Sequence, residues 1–142
     1  MGWTDISDFV VDDPWCFQDA NEIKDNIEYL SGVSGETQVT LADNQSSAAN
    51  IYTFTKATYR AIMVEYTIER GTNFECGSII IVHDGTNAFI ATGLIAESSS
   101  FGCGVTLSAD VSGADCRLRY TTTSTGTAGK FNFSVRFKPV AT

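Results

Sequence analysis

The sequence predicts a mainly β chain: an antiparallel β-sandwich or jelly-roll-like domain of about eight strands, preceded by an extended arm and one short α-helix. Three observations predict it. First, Tyr59–Arg70 alternates over twelve residues without Pro or Gly. Ile62, Val64, Tyr66 and Ile68 fall on one side of an extended chain, and Arg60, Glu65, Thr67 and Glu69 mostly on the other. Such a stretch suits a long strand on which neighbouring hairpins assemble. Second, from residue 36 onward short β-branched and aromatic runs are separated by Gly, Asn, Asp and Ser clusters at hairpin spacing. Third, the charge is divided. Residues 1–36 hold nine acids against the single base Lys24, leaving eight acids and eight bases in residues 37–142. The whole net charge of −8 therefore belongs to the first quarter of the chain, which implies two parts with different surroundings.

At 142 residues there is room for one domain with a proper core and one appendage. A hydrophobic share of 43% with 18% charged residues excludes wholesale disorder. An acidic chain with a neutral body excludes a general nucleic-acid binder, which needs a basic face. The start, Met-Gly-Trp-Thr-Asp-Ile, lacks the basic and apolar regions of a signal peptide, and Ile6 stands where myristoylation wants Ser or Thr. No apolar run approaches the roughly 18 residues of a membrane span. The expectation is a soluble protein made in a cytoplasm, with no nucleic-acid partner and no membrane insertion.

Residues 1–18 read as an irregular arm carrying Trp3, Ile6, Phe9, Val10, Val11, Trp15 and Phe17, with a turn at Asp12-Asp13-Pro14. Two tryptophans are costly to leave in water, so the arm lies on its own domain or docks on a partner subunit. Asp19 as N-cap and Glu22 three residues on form a capping box for a helix over about 20–31. Ile23, Ile27 and Leu30 make a narrow stripe, and Gly32 ends it. A helix this short does not persist alone, so it packs on the sheet domain or on copies of itself. Ser31-Gly32-Val33-Ser34-Gly35 is a flexible linker, and the domain boundary falls there: 1–35 for arm and helix, 36–142 for the β domain.

The strands follow. Residues 37–42 form the first, a polar loop spans 43–50, and 51–55 leads to Tyr59–Arg70. Gly71-Thr72-Asn73 turns into 74–82, where Ile79-Ile80-Ile81-Val82 is apolar on both sides. That strand is either central in a sandwich or faces another subunit. Asp84-Gly85 is a hairpin signal returning along 88–96, and Ser98-Ser99-Ser100 is a loop. Residues 104–110 and 116–123 make another hairpin through Ser112-Gly113-Ala114, and 121–129 is a Thr/Ser/Gly tip. The last strand, 130–140, alternates Phe131, Phe133, Val135 and Phe137 inward with Asn132, Ser134, Arg136 and Lys138 outward.

Chemistry is sparse. Cys16, Cys76, Cys103 and Cys116 show no Cys-x-x-Cys spacing, and with His83 as the sole histidine a zinc site is not expected. The thiols are either buried small hydrophobes or partners in disulfides formed in an oxidising medium. Cys16, alone in the arm, is the candidate for a bond between chains. His83, beside Asp84-Gly85, reads as a solvated turn residue rather than a general base. Asp12, Asp13 and Asp84 lack the alternation of a Ca²⁺ loop, so no metal and no cofactor are expected. Glu65, Glu69, Glu75 and Glu97 read as a solvated outer face rather than a hydrolase pair. Gly102-Cys103-Gly104 precedes a strand and cradles no phosphate. Arg117 and Arg119, with Arg136 near, read as an ordinary outer face, with a grip on an acidic partner as the sharper alternative. The chain is expected not to be an enzyme.

Two stretches resemble known proteins. Gly2-Trp3-Thr4-Asp5-Ile6, with the helix ending Asp25-Asn26-Ile27-Glu28-Tyr29-Leu30, resembles the amino-terminal segment of tailed-phage fibre and accessory virion proteins. Ala57-Thr58-Tyr59-Arg60-Ala61-Ile62, Glu65-Tyr66-Thr67-Ile68-Glu69-Arg70-Gly71, Gly77, Val105-Thr106-Leu107-Ser108 and Arg119-Tyr120-Thr121-Thr122-Thr123 are similar to a small β domain of phage tail fibres and decoration proteins. The resemblance implies a structural virion protein assembled in the host cytoplasm, commonly a homotrimer, attached through the arm and helix with the β domain outward. Fibres usually place a shaft between these parts, so a short chain fits a capsid, neck or tail decoration protein. The attachment residues would then be Trp3, Ile6, Phe9, Trp15, Cys16, Ile23, Ile27 and Leu30. Burying two tryptophans and one helix stripe supplies several kcal/mol per chain, at about 25 cal/mol per Å² of apolar surface. The alternative is a receptor- or glycan-binding head whose loops at 98–101 and 121–129 meet a host cell surface.

Overall fold

Alternating sequences of this kind bury one side of each strand, and two sheets satisfy that need by facing each other. A computed structural model describes residues 36–93, 95–100 and 102–141; the arm and helix expected over 1–35 lie outside them. The described residues form nine strands and no helix: β1 (Thr37–Leu41), β2 (Ala49–Thr55), β3 (Tyr59–Arg70), β4 (Asn73–His83), β5 (Ala88–Thr92), β6 (Ala96–Glu97), β7 (Val105–Ser112), β8 (Asp115–Thr122) and β9 (Gly129–Pro139). One sheet runs β1-β9-β3-β4-β5 with β6 also on β4, and the other runs β2-β8-β7. Every pairing is antiparallel. The expected β-sandwich is the observed architecture.

The long strand is central, as its alternation requires. It pairs with β4 on one side and β9 on the other. Ile62, Val64, Tyr66 and Ile68 are buried with Ile79 and Ile81 of β4 and Phe131, Phe133 and Val135 of β9. From the second sheet Ile51, Phe54, Cys116, Leu118 and Tyr120 close the core, and Leu41 seals one end. Fully burying an aliphatic or aromatic side chain contributes about 1.5–3 kcal/mol, so the two inner faces are the main source of stability.

Two expectations are corrected. The single strand over 88–96 is two pieces, β5 and β6, on successive parts of β4. Gly93 makes the break: its N–H donates to the Ser78 carbonyl at 2.7 Å, and a Cβ there would lie 2.2 Å from Ser78 Oγ. A larger residue there requires the Ser78 hydroxyl to turn away. His83 is not a solvated turn residue. It is the last residue of β4, in phase with Ile79 and Ile81, and only 3% exposed. Its Nε2 lies 2.7 Å from the Tyr59 carbonyl, and its ring centroid is 6.0 Å from that of Phe54. The turn itself forms as expected: Asp84 Oδ1 accepts from the N–H groups of Thr86 and Asn87 at 2.8 and 2.7 Å.

Candidate functional site

Arg70 continues the inward phase of β3 beyond Ile68, so the periodicity that buries the core also buries a guanidinium. It is 3% exposed at the strand's end. A buried guanidinium needs acceptors on every side, and several loops supply them. Nε donates to the Thr127 carbonyl at 2.9 Å, and Nη1 to the carbonyls of Cys103 and Gly104 at 3.1 and 3.3 Å. Nη2 donates to the Thr123 carbonyl at 2.6 Å and pairs with Asp43. Asp43 in turn accepts from the N–H groups of Thr125 at 2.9 Å and Gly126 at 3.0 Å. The Thr125 and Gly126 amides together with Arg70 hold its carboxyl below the ordinary 3.8, against an opposing desolvation.

One arginine therefore ties the 43–48, 102–104 and 123–128 segments into a fixed cluster at one end of the sandwich. Against it lies a cleft of about 310 Å³ lined by Arg70, Asn73, Gly104, Thr123, Thr125 and Thr127. Its chemistry is that of hydroxyls, an amide and main-chain carbonyls, a set suited to hydroxyl-rich ligands.

A second polar group lies inside the same sheet. Tyr66 Oη donates to Glu75 Oε1 at 2.8 Å, and its ring stacks on Phe131 with centroids 5.1 Å apart. Burial first, then Glu75, raises the Tyr66 hydroxyl above its usual 10, so it stays a proton donor at neutral pH. Glu75 therefore leaves the solvated face expected of it: it shares the inward phase of Ile79 and Ile81 and is 8% exposed. Glu97, its neighbour across β6, remains exposed, as do Glu65 and Glu69. Burial, with the charges of Glu75 and Glu97, pushes the Cys103 thiol up to about 11. It is thus protonated and a poor nucleophile at neutral pH.

Arg117 and Arg119 point outward from β8, where both grip Asp110. Arg117 does so through Nε and Nη2 at 2.7 Å each, and Arg119 through Nη1 at 2.7 Å. Arg119 also donates to the Ala48 carbonyl. Arg136 belongs to the other sheet, so it does not join Arg117 and Arg119. Cys76, Cys103 and Cys116 are free thiols, the first exposed and the other two buried. Among the described residues no group of three or more His, Cys, Asp and Glu side chains is placed to hold a metal.

The attachment residues read from the sequence, Trp3, Ile6, Phe9, Trp15, Cys16, Ile23, Ile27 and Leu30, lie outside the described residues. The tip expected at 121–129 is shorter, since Thr121 and Thr122 belong to β8 and Gly129 to β9, and its residues 123–128 join the pinned cluster. Sequence reasoning missed Arg70 and Asp43. For Arg70 a signal existed, a base in phase with four apolar residues; for Asp43, in a polar loop, there was none.

No family model matches the chain, and neither does any curated protein. Among solved structures it is similar to the tailspike protein of Acinetobacter phage vB_ApiP_P1, with 17% identity and a TM-score of 0.49 over 74% of this chain and 22% of the tailspike. It is also similar to the tailspike protein of Acinetobacter baumannii phage AM24, with 8% identity and a TM-score of 0.42 over 79% of this chain and 27% of the other. The chain spans about a quarter of the length of either tailspike.

Proposed function

We propose that this chain is a non-enzymatic structural protein of a bacteriophage particle, decoration- or fibre-like, held by residues 1–35 and displaying its β body. The observation that carries this reading is the partition of the sequence. All of the excess negative charge and both tryptophans precede residue 37, while the following 106 residues are electrically neutral. A sticky acidic leader joined by a Ser/Gly linker to a neutral β body is a layout for attachment and display. The resemblance of residues 2–6 and 19–30 to phage attachment segments supports it. Its partners would be further copies of itself and capsid, neck or tail proteins, and its place the virion. The polar chemistry of the body fits the non-enzymatic part of the reading. His83 is turned into the core, Glu75 is held by Tyr66, and Arg70 is fully engaged with loop carbonyls.

Phage particles assembled with a chain lacking residues 1–31 test the reading. The truncated protein should be absent from purified particles while keeping the β-rich circular dichroism of the full chain. Undiminished incorporation would refute it.

The pinned loop cluster favours a second reading, a receptor- or glycan-binding head. Loops already fixed in place lose little entropy on binding, and threonine hydroxyls with Asn73 offer both donors and acceptors. Binding of the full chain to a glycan array, lost on Thr125→Ala, would support it. A blank array would remove it.

A further inference from the structure

The outward side of the six-stranded sheet carries an apolar patch in the middle of the fold. Ile80 and Val82 point away from the core at 47% and 41% exposure, although β4 is a central strand. Beside them Met63 of β3 is 38% exposed and Phe89 of β5 is 56% exposed. The register sets these side chains in two rows. In one, Ala61 lies opposite Val82 and Val82 opposite Phe89; in the other, Met63 lies opposite Ile80 and Ile80 opposite Ala91. Each row has a large residue at one end and a small one at the other, and the two rows are reversed with respect to each other.

That pattern is self-complementary. Turn a second copy about a two-fold axis lying in the plane of contact and running along β4. Ala61 of one copy then meets Phe89 of the other, Met63 meets Ala91, and Ile80 and Val82 meet their own equivalents. At the ends of both rows a large side chain falls against a small one, while along the axis equal side chains meet. The bases bordering the patch fit the same operation. Arg136 and Lys138 of β9 lie opposite Met63 and Ala61, beyond the patch on its β3 side only. The rotation carries them to opposite margins of the contact, so like charges are kept apart. Shifting the axis to run across the strands would instead place Arg136 against Lys138.

We infer that this face is a two-fold contact between two copies of the chain, centred on Ile80 and Val82. The contact is independent of the attachment role proposed for residues 1–35. It also predicts a pair of chains, where the resemblance to virion proteins implies three.

Light scattering of the full-length chain at micromolar concentration, with and without substitutions, tests it. The wild type should have the mass of two chains. Ile80→Asp, which sets like charges against each other near the axis, should give one chain with unchanged circular dichroism. Phe89→Ala should weaken the pair about tenfold or more, and adding Ala61→Phe should restore it by moving the large residue to the other end of its row. Because both substitutions lie on the solvent side, the rescue reads the contact even if Ile80→Asp fails to fold. A wild-type mass of one or three chains would overturn the inference, as would an Ile80→Asp chain that folds and stays paired. So would a single wild-type chain that floats with anionic phospholipid vesicles, which would assign the face to lipid.

Discussion

Arg70 shows how one side chain converts a strand's periodicity into loop architecture. Its position in the inward phase would bury an unpaired charge, at a cost of several kcal/mol, had the loops not delivered carbonyl oxygens and Asp43 to meet it. Asp43 gives the arrangement a pH dependence whose sign follows from its lowered carboxyl. A carboxylate more acidic in the folded chain than in the unfolded one stabilises the fold fully above the ordinary 3.8. That contribution is lost as pH falls through the lower folded value. Asp84 and Asp110 are shifted the same way, Asp84 chiefly by the Asn87 and Thr86 amides and Asp110 chiefly by Arg117. Asp43→Asn should therefore lower the urea midpoint more at pH about 7 than at an acid pH below the carboxyl's lowered folded value, where the wild-type group is also neutral. An equal loss at both pH values would show that Asp43 acts through shape rather than charge.

At the scale of the element, β3 and β9 are legible from their unbroken alternation, Arg70 aside, and each inward residue expected from Ile62 to Ile68 is buried. The strand over 88–96 was misread because its interruption depends on how closely Gly93 approaches Ser78, a tertiary fact with no local signature. Beta-4 misled in another way. Its polar residues Glu75 and His83 share the inward phase with Ile79 and Ile81, and there phase outweighs residue type. Gly77 in the same strand shows what such packing demands. A Cβ there would lie 2.8 Å from the Tyr66 hydroxyl, which is fixed by Glu75 and by the stacked Phe131 ring. Gly77→Ala should cost about 1–3 kcal/mol of stability in urea denaturation and release the Tyr66–Glu75 bond. On a Tyr66→Phe background the penalty should shrink, since the oxygen is gone. A neutral Gly77→Ala would mean that the ring moves freely.

For the whole molecule, two-sheet architecture followed from strand spacing and turn residues, whereas the pinned loop cluster and the reversed rows of the outer face became visible only once register was known. A one-residue slip of β4 against β3 would erase the rows altogether. The proposed function assigns attachment to the acidic aromatic leader and pairing to the apolar sheet face, and the threonine-rich loop end is exposed to solvent. The exposed Cys76 should react readily with a maleimide in native buffer, and Cys103 and Cys116 only after unfolding. The most direct measurement of the central claim is electron cryo-microscopy of the intact phage particle. The account predicts Trp3 and Trp15 seated against another polypeptide, with residues 36–142 projecting outward. Both tryptophans enclosed within their own chain and touching no other polypeptide would contradict it.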